Sequence, residues 1–385
     1  MIHTVSRTLK IVGALIAVLL VFQMHVFSQM KKLSKKVNNL TPHMKTMDLL
    51  GSSGLLSSNL QLPPILGHIP YADETGIILS THRVNVPFIE TPYNASLIEQ
   101  DDHYLLFFRY DTPLVNGKDV HFHTHIGSIR LDPFFHPMDA QASVIQTQSA
   151  FSEDARVFKA NGDYFLAYND IVPEEKKYRG IRIAHLDMQT HSVRYITPLS
   201  RRMNKIEKNW MPFEHKDKGI HLVYSIHPHQ ILQLPRPDVN DVIPITLSQT
   251  EDLSSYFAWE TVWGQMRGGT PPRLVDGEYL SFFHSAFRDE RGFVWYVMGA
   301  YTFEAEAPFR ITKMSPHPIL YRGAYEAPIR NTANPRVRTL YPVSFVAETR
   351  FGKEVIQLSC GENDSCVKIL TIDKDSLLKS LKPVL

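Results

Sequence analysis

The chain has 385 residues, of which 43% are hydrophobic and 21% charged, a balance that excludes a disordered polymer and leaves ample apolar material for a large core. Its formal net charge is only +2 and no basic stripe runs through the body, which excludes a general phosphate-backbone binder and gives no nucleic-acid partner.

In chain order, the first element is the uncharged run IVGALIAVLLVFQMHVF over residues 11–27, preceded by Arg7 and Lys10. With Ser28 and Gln29 it would span roughly 28 Å as a helix, near the short limit for a bilayer crossing. The expectation is a cytoplasmic tip and membrane anchor over 1–29. A cleaved signal peptide, and so a secreted body, is the alternative, although no small-x-small site follows. Lys31, Lys32, Lys35 and Lys36 offset Arg7 and Lys10, so charge asymmetry does not set the orientation. The sequons at Asn39, Asn94 and Asn363, and the neighbouring Cys360 and Cys366, point to a lumenal or extracellular body of a single-pass protein. A Cys360–Cys366 disulfide is expected if that compartment is oxidising.

Residues 30–75 read as a spacer. Met30, Leu33, Val37, Leu40, Met44 and Met47 keep a helical spacing that Pro42 interrupts, and GSSGLLSSNLQLPPILG is rich in the residues of a flexible stem.

The body, residues 76–385, has almost no helical periodicity. Short runs of Val, Ile, Tyr and Phe between turn residues recur instead, so it is expected to be all-β. Five strand-turn-strand units begin at Ala95, Ala155, Met211, Pro271 and Val343. Their second strands align at Tyr104, Tyr164, His221, Tyr279 and Glu354, at spacings of 60, 57, 58 and 75. A near-constant interval and five units predict a five-bladed β-propeller, with a two-sheet sandwich second.

In a propeller the residues just before each inner strand meet at the channel mouth. Those stretches are ETPYN, SED, EKNW, RGGT and LYP, which would bring together Asn94, Asp154, Lys208, Asn209, Arg267 and Thr270. The plainer reading of such residues is turn formation and hydrogen bonding between blades. One carboxylate among cations suits glycosyl transfer, in which an acid serves a bridging oxygen while cations hold an anion. Glu153 is expected to face away from Asp154, because strand neighbours alternate, and Glu214 to lie on the surface.

The ordered series Glu153-Asp154-x-Arg156, Lys208-Asn209-Trp210-Met-Pro-Phe213, Tyr224-Ser-Ile-His227-Pro-His229, Arg267-Gly-Gly-Thr270-Pro271, Phe282-Phe-His284-Ser285 and Met298-Gly-Ala-Tyr301 resembles the β-mannoside phosphorylases of glycoside hydrolase family 130 and the related β-1,2-mannosyltransferases, over roughly residues 75–350. That resemblance implies a five-bladed fold and action on β-mannosides or related glycans by transfer, phosphorolysis or hydrolysis. It implies Asp154 as the catalytic acid, working on the glycosidic oxygen directly or through a sugar hydroxyl. Arg156, Lys208, Asn209 and His229 would hold phosphate or another anion, and Asn94, Arg109 and Arg267 would bind sugar or anion. His227, Thr270 and His284 complete the substrate- or anion-binding candidates. The partners implied are a glycan and, as second substrate, phosphate, water or a nucleotide-sugar; no cofactor is implied. One departure is Ala155, where family members commonly have proline, and a strand start accepts either residue. A glycan-binding or protein-binding propeller without catalysis is the competing reading, and it would not depend on Asp154.

Two further features complete the reading. His121-Phe-His123-Thr-His125 alternates three imidazoles onto one strand face, a pattern open to metal ligation or to an ordinary solvated strand. No phosphate-cradling glycine loop or nucleophilic serine motif occurs, which argues against a P-loop enzyme or an α/β-hydrolase.

Overall fold

The computed structural model describes residues 61–384 apart from 117–118, 148, 173–174, 200–203, 236–241, 251–253 and 331–334. The compact unit Gln61–Leu385 is an all-β, propeller-like assembly of five sheets. β1 (Ile78–Val84) comes first but belongs to the last sheet. The first sheet holds β2 (Tyr93–Glu99), β3 (Tyr104–Asn116), β4 (Asp119–Leu131) and β5 (Ser143–Val144), in that order. The second holds β6 (Glu153–Ala160), β7 (Asp163–Val172), β8 (Glu175–Asp187) and β9 (Ser192–Pro198), and the third β10 (Met211–Glu214), β11 (Ile220–Ser225), β12 (Gln230–Gln233) and β13 (Ile245–Gln249). The fourth is seven-stranded: β14 (Arg267–Gly268) and β15 (Arg273–Val275) both pair with β16 (Glu278–Arg288). β17 (Val294–Glu304) follows, then β18 (Ile311–Met314), with β19 (Val337–Arg338) and β23 (Lys382–Pro383) added at the flanks. The fifth holds β20 (Leu340–Arg350), β21 (Lys353–Glu362) and β22 (Cys366–Asp373), and β1 closes it by pairing antiparallel with β22.

Each predicted strand-turn-strand unit is the inner hairpin of one sheet. Two-residue turns with positive φ at both positions close several of them, as at Asn161 and Gly162 (φ 52° and 83°) and at Asp276 and Gly277 (50° and 86°). Such turns match the twist of the flanking strands. The strands read as continuous apolar runs because both faces of each sheet are covered. Along β3, Leu106 and Phe108 pack toward Val346, Val367 and Ile369 of the fifth sheet, while Leu105 and Phe107 pack toward Val157, Leu166 and Ala184 of the second. Adjacent residues of a strand point to opposite faces, so the YLLFF run feeds two cores at once. Phe158 and Phe165 join Trp210, Ile220 and Leu222 between the second and third sheets, and Phe282 meets Phe345 between the fourth and fifth.

Four expectations are corrected here. Among the described residues no helix is long and apolar enough to cross a membrane; α1 (Pro64–Gly67), α2 (Ser254–Trp263) and α3 (Lys374–Ser380) are short. The single-pass arrangement with a lumenal or extracellular body is therefore withdrawn, and the anchor over 11–29 lies outside the described residues, as does residue 39. Of the spacer, residues 61–75 pack against the body: Leu66 and Ala72 are buried, and Ala72 N donates to Leu320 O at 2.6 Å. Cys360 and Cys366 are buried free thiols. Cys360 faces Lys368 and Cys366 faces Glu362, so the two cysteines are diagonal neighbours. That diagonal is roughly 7–8 Å, beyond the usual Cα separation of a disulfide. The sequon reading also fails at two sites: Asn94 and Asn363 are buried, and their side-chain amides donate to Asp154 Oδ1 and to the carbonyls of Tyr325 and Ala327.

Candidate active site

The starts of the inner strands converge, and bulges aim their side chains. The register slips between Tyr93 and Ser96 in β2 and between Glu153 and Arg156 in β6. Asn94 (φ 45°) and Asp154 (φ 53°) sit in those slips, and Asn209 (φ 65°), just before β10, takes the same left-handed conformation. Asn and Asp tolerate this region better than other side chains, and a bulge redirects a side chain out of the strand alternation. Asn94 Nδ2 donates to Asp154 Oδ1 at 2.9 Å.

The same bulge overturns the expectation for Glu153. Arg109 reaches both acids, with Nη1 at 3.2 Å from Asp154 Oδ1 and Nη2 at 3.2 Å from Glu153 Oε1. Alternation does not hold across a bulge, so the adjacent carboxylates share one guanidinium. Arg179 is a second cation on Glu153, at 3.3 Å. Burial works to raise the Asp154 carboxyl, but Arg109, the Asn94 amide and Arg156 outweigh it and hold Asp154 below the usual carboxylate range. Burial raises Glu153, opposed by Arg109 and reinforced by the charge of Asp154. Glu153 is thus the member of the pair that takes up a proton first as pH falls.

Arg156 serves the frame. Its Nε donates to Gly269 O at 2.6 Å, Nη1 to Asp154 O at 3.1 Å and Nη2 to the hydroxyl of Tyr341 at 2.7 Å, tying the second sheet to the fourth and fifth. Tyr341 donates in turn to Asn209 Oδ1 at 2.7 Å. Gly268 and Gly269 permit this close approach: a Cβ at Gly268 would lie 2.1 Å from Asn209 O, and one at Gly269 2.5 Å from Phe282 O. His284 is buried against Tyr341, ring centroids 4.6 Å apart, and its Nδ1 has no hydrogen-bond partner among the described residues. Burial, then the fields of Arg156, Arg267 and Lys208, push its pKa well down, so the ring is neutral. Lys208 and Arg267 are exposed, and among the described residues neither has an acidic partner.

Three candidates lie elsewhere. Thr270 is wholly buried, and its Oγ1 accepts from Phe282 N at 2.9 Å, a contact within the fourth sheet. His227 pairs through Nδ1 with Glu260 of α2 at 2.8 Å. His229 meets the Phe309 carbonyl at 2.9 Å and packs on Phe303. Among the described residues no hydrogen bond or ion pair joins His229 to Asp154. Sequence reasoning missed Asp111, Arg179, Arg330, Tyr341 and Asp364. Arg330 pairs with Asp111 at 2.7 Å, and Asp364 is raised by burial within reach of Arg109, Asp154 and Arg330. Only Tyr341 carried a signal, as part of the LYP stretch; the others are ordinary charges until the fold brings them together. Among the described residues no group of three or more His, Cys, Asp or Glu is arranged to hold a metal. His125 Nε2 lies 3.0 Å from Thr112 Oγ1, and the His123 ring meets Phe151.

No family model matches the chain, and comparison with curated proteins gives no match. Solved structures do. A β-1,2-mannobiose phosphorylase from Listeria innocua, in complex with β-1,2-mannobiose, has a TM-score of 0.53 at 14% identity, covering 80% of this chain and 98% of that one. A mannose phosphorylase from Leishmania mexicana, in complex with phosphate ion, has 0.53 at 11%, covering 82% and 94%. A GDP-Man-dependent mannosyltransferase from Leishmania mexicana has 0.53 at 13%, covering 78% and 92%. These structural neighbours are thus mannoside phosphorylases and a mannosyltransferase, the activities of the group that the motif series resembles. At these identities the likeness establishes the fold.

Proposed function

We propose that the chain is a five-bladed propeller enzyme, with residues 76–385 as its catalytic domain, that transfers a mannosyl group between a glycan hydroxyl and an anion, either phosphate or the diphosphate of a nucleotide-sugar. The observation that carries this reading is a buried carboxylate held low, Asp154, in the same region as two exposed cations, Lys208 and Arg267, that make no ion pair among the described residues, with the field of Lys208 reaching Glu153. Asp154 is fixed by Arg109 and Asn94 at the convergence of the inner strands. The substrates of the three neighbours, mannobiose, phosphate and GDP-mannose, support the same classes here.

In the transfer direction Asp154 accepts the proton of the acceptor hydroxyl, directly or through a sugar hydroxyl. The acceptor oxygen bonds to the anomeric carbon as the bond from that carbon to the anion's oxygen breaks, and the electron pair leaves on the anion. In the phosphorolytic direction Asp154 returns the proton to the glycosidic oxygen while phosphate attacks. Lys208 and Arg267 bind the anion's charge in both directions. Asn94 and Arg109 orient the carboxylate and meet sugar hydroxyls, and Asn209 and His284 line the floor.

The test is anion dependence. Purified protein is incubated with β-1,2-mannobiose and phosphate, with GDP-mannose and mannobiose, and with mannobiose in phosphate-free buffer. Turnover is expected only where phosphate or GDP-mannose is supplied, with Lys208→Ala and Arg267→Ala each raising the KM for that anion about tenfold. Mannose release at the same rate without any anion would replace transfer by hydrolysis.

A further inference from the structure

One wall of the Asp154 site continues to the rim. β2 pairs with β3 only as far as Tyr93 opposite Arg109, whereas β3 and β4 stay paired out to Asn116 opposite Asp119. Arg109, Asp111 and Pro113 share one face of this projecting hairpin with Ile126, Thr124 and Phe122, their cross-strand partners. At about 3.4 Å per residue, the Pro113–Phe122 pair stands roughly 14 Å along the strand beyond Arg109.

Cations and rings alternate over that distance. The Arg109 guanidinium, which holds Asp154, lies 4.9 Å from the Tyr93 ring centroid. Arg330 lies 5.1 Å from the same ring and 5.6 Å from that of Phe122. Asp111 fixes the ladder, accepting from Tyr93 Oη at 3.0 Å and pairing with Arg330 at 2.7 Å. Every member but the last is largely buried; Phe122 is 50% exposed. Its outer position contributes little to any core, yet Arg330 and Asp111 hold its surroundings in place. A half-exposed aromatic face beside an Arg–Asp edge suits the C–H face of a sugar ring, with the polar edge meeting its hydroxyls.

We propose that Phe122, with Arg330 and Asp111 beside it, forms a distal glycan subsite, and that the substrate is an oligosaccharide longer than a disaccharide. The proposal rests on the reading of the Asp154 site as a mannoside site. A sugar ring at Asp154 and another on Phe122 are too far apart to be directly linked, so the chain between them runs along the ladder. The signal in His121-Phe-His123-Thr-His125 is then its phenylalanine: the alternation that turns His123 and His125 to one face turns Phe122 toward the site.

Calorimetric titration with β-1,2-linked manno-oligosaccharides, from disaccharide to pentasaccharide, tests this on the wild type, Phe122→Ala and Phe122→Trp. The wild type is expected to bind the longer chains about tenfold more tightly than the disaccharide. Phe122→Ala should lose that increment without losing disaccharide affinity, and Phe122→Trp should keep it. Affinity independent of chain length, an increment retained by Phe122→Ala, or no binding to any chain would overturn the subsite. Turnover measured alongside separates the two readings: turnover without a length increment removes the subsite alone, and a length increment without turnover removes the enzyme alone.

Discussion

At the scale of single residues, the site is governed by one guanidinium. Arg109 contacts Asp154 and Glu153 together, and its charge keeps Asp154 ionised in spite of burial. In Arg109→Gln the Asp154 carboxyl should titrate at higher pH. Transfer needs the ionised form, so the acid limb of kcat/KM should move upward in pH, and an unmoved limb would show that Arg109 does not set this ionisation. A second prediction concerns stability. Burial lowers His229 from 6.5 to about 4, with the Phe309 carbonyl opposing it. The folded state therefore disfavours the protonated ring: its contribution is complete above pH 6.5 and is lost as pH falls toward 4, about 3 kcal/mol in all. Denaturant midpoints at pH 7 and pH 4.5 should fall further for the wild type than for His229→Gln. An equal fall in both proteins would contradict the assignment. His229 itself reads in sequence as an anion ligand, because residue type and motif order say nothing about the Tyr301 and Phe303 rings and the Phe309 carbonyl that surround it.

At the scale of elements, the hairpins were legible and the bulges were not. Asn161-Gly162 and Asp276-Gly277 announce their turns because few other pairs adopt positive φ at both positions. The bulge over Glu153–Arg156 has no such signature, so strict alternation placed Glu153 on the wrong side. Of the residues at the strand starts, Asn94 meets Asp154 directly and Asn209 reaches it through Tyr341 and Arg156, whereas Thr270 bonds within its own sheet. Gly268 tests the frame around them. Its missing Cβ lets the fourth sheet approach Asn209 and Met211, while Arg156 holds the Gly268–Gly269 carbonyls. Gly268→Ala should cost about 1–3 kcal/mol through overpacking and should lower turnover as well. Wild-type stability and kinetics in this variant would mean that the close approach is dispensable.

At the scale of the whole molecule, five sheets share cores face to face, and β1 closes the ring against β22. The repeat interval was visible because each inner hairpin recurs at nearly one spacing. The long last interval reflects residues 315–339, including the detour through β19, which pairs parallel to β17 before β20 begins. Phe107 belongs to the core shared by the first and second sheets, so Phe107→Ala should destabilise the protein by about 3–5 kcal/mol in denaturant titration. A loss below 1 kcal/mol would mean that the interface collapses around the gap. Stacked sheets converge on Asp154, and the account stands on what that carboxylate does. The most direct measurement is single-turnover mannosyl transfer by the wild type and Asp154→Asn, with manno-oligosaccharide affinity determined for both. The account predicts a rate reduced about 10²–10⁴-fold in Asp154→Asn, with affinity largely kept. An undiminished rate in that variant would contradict it.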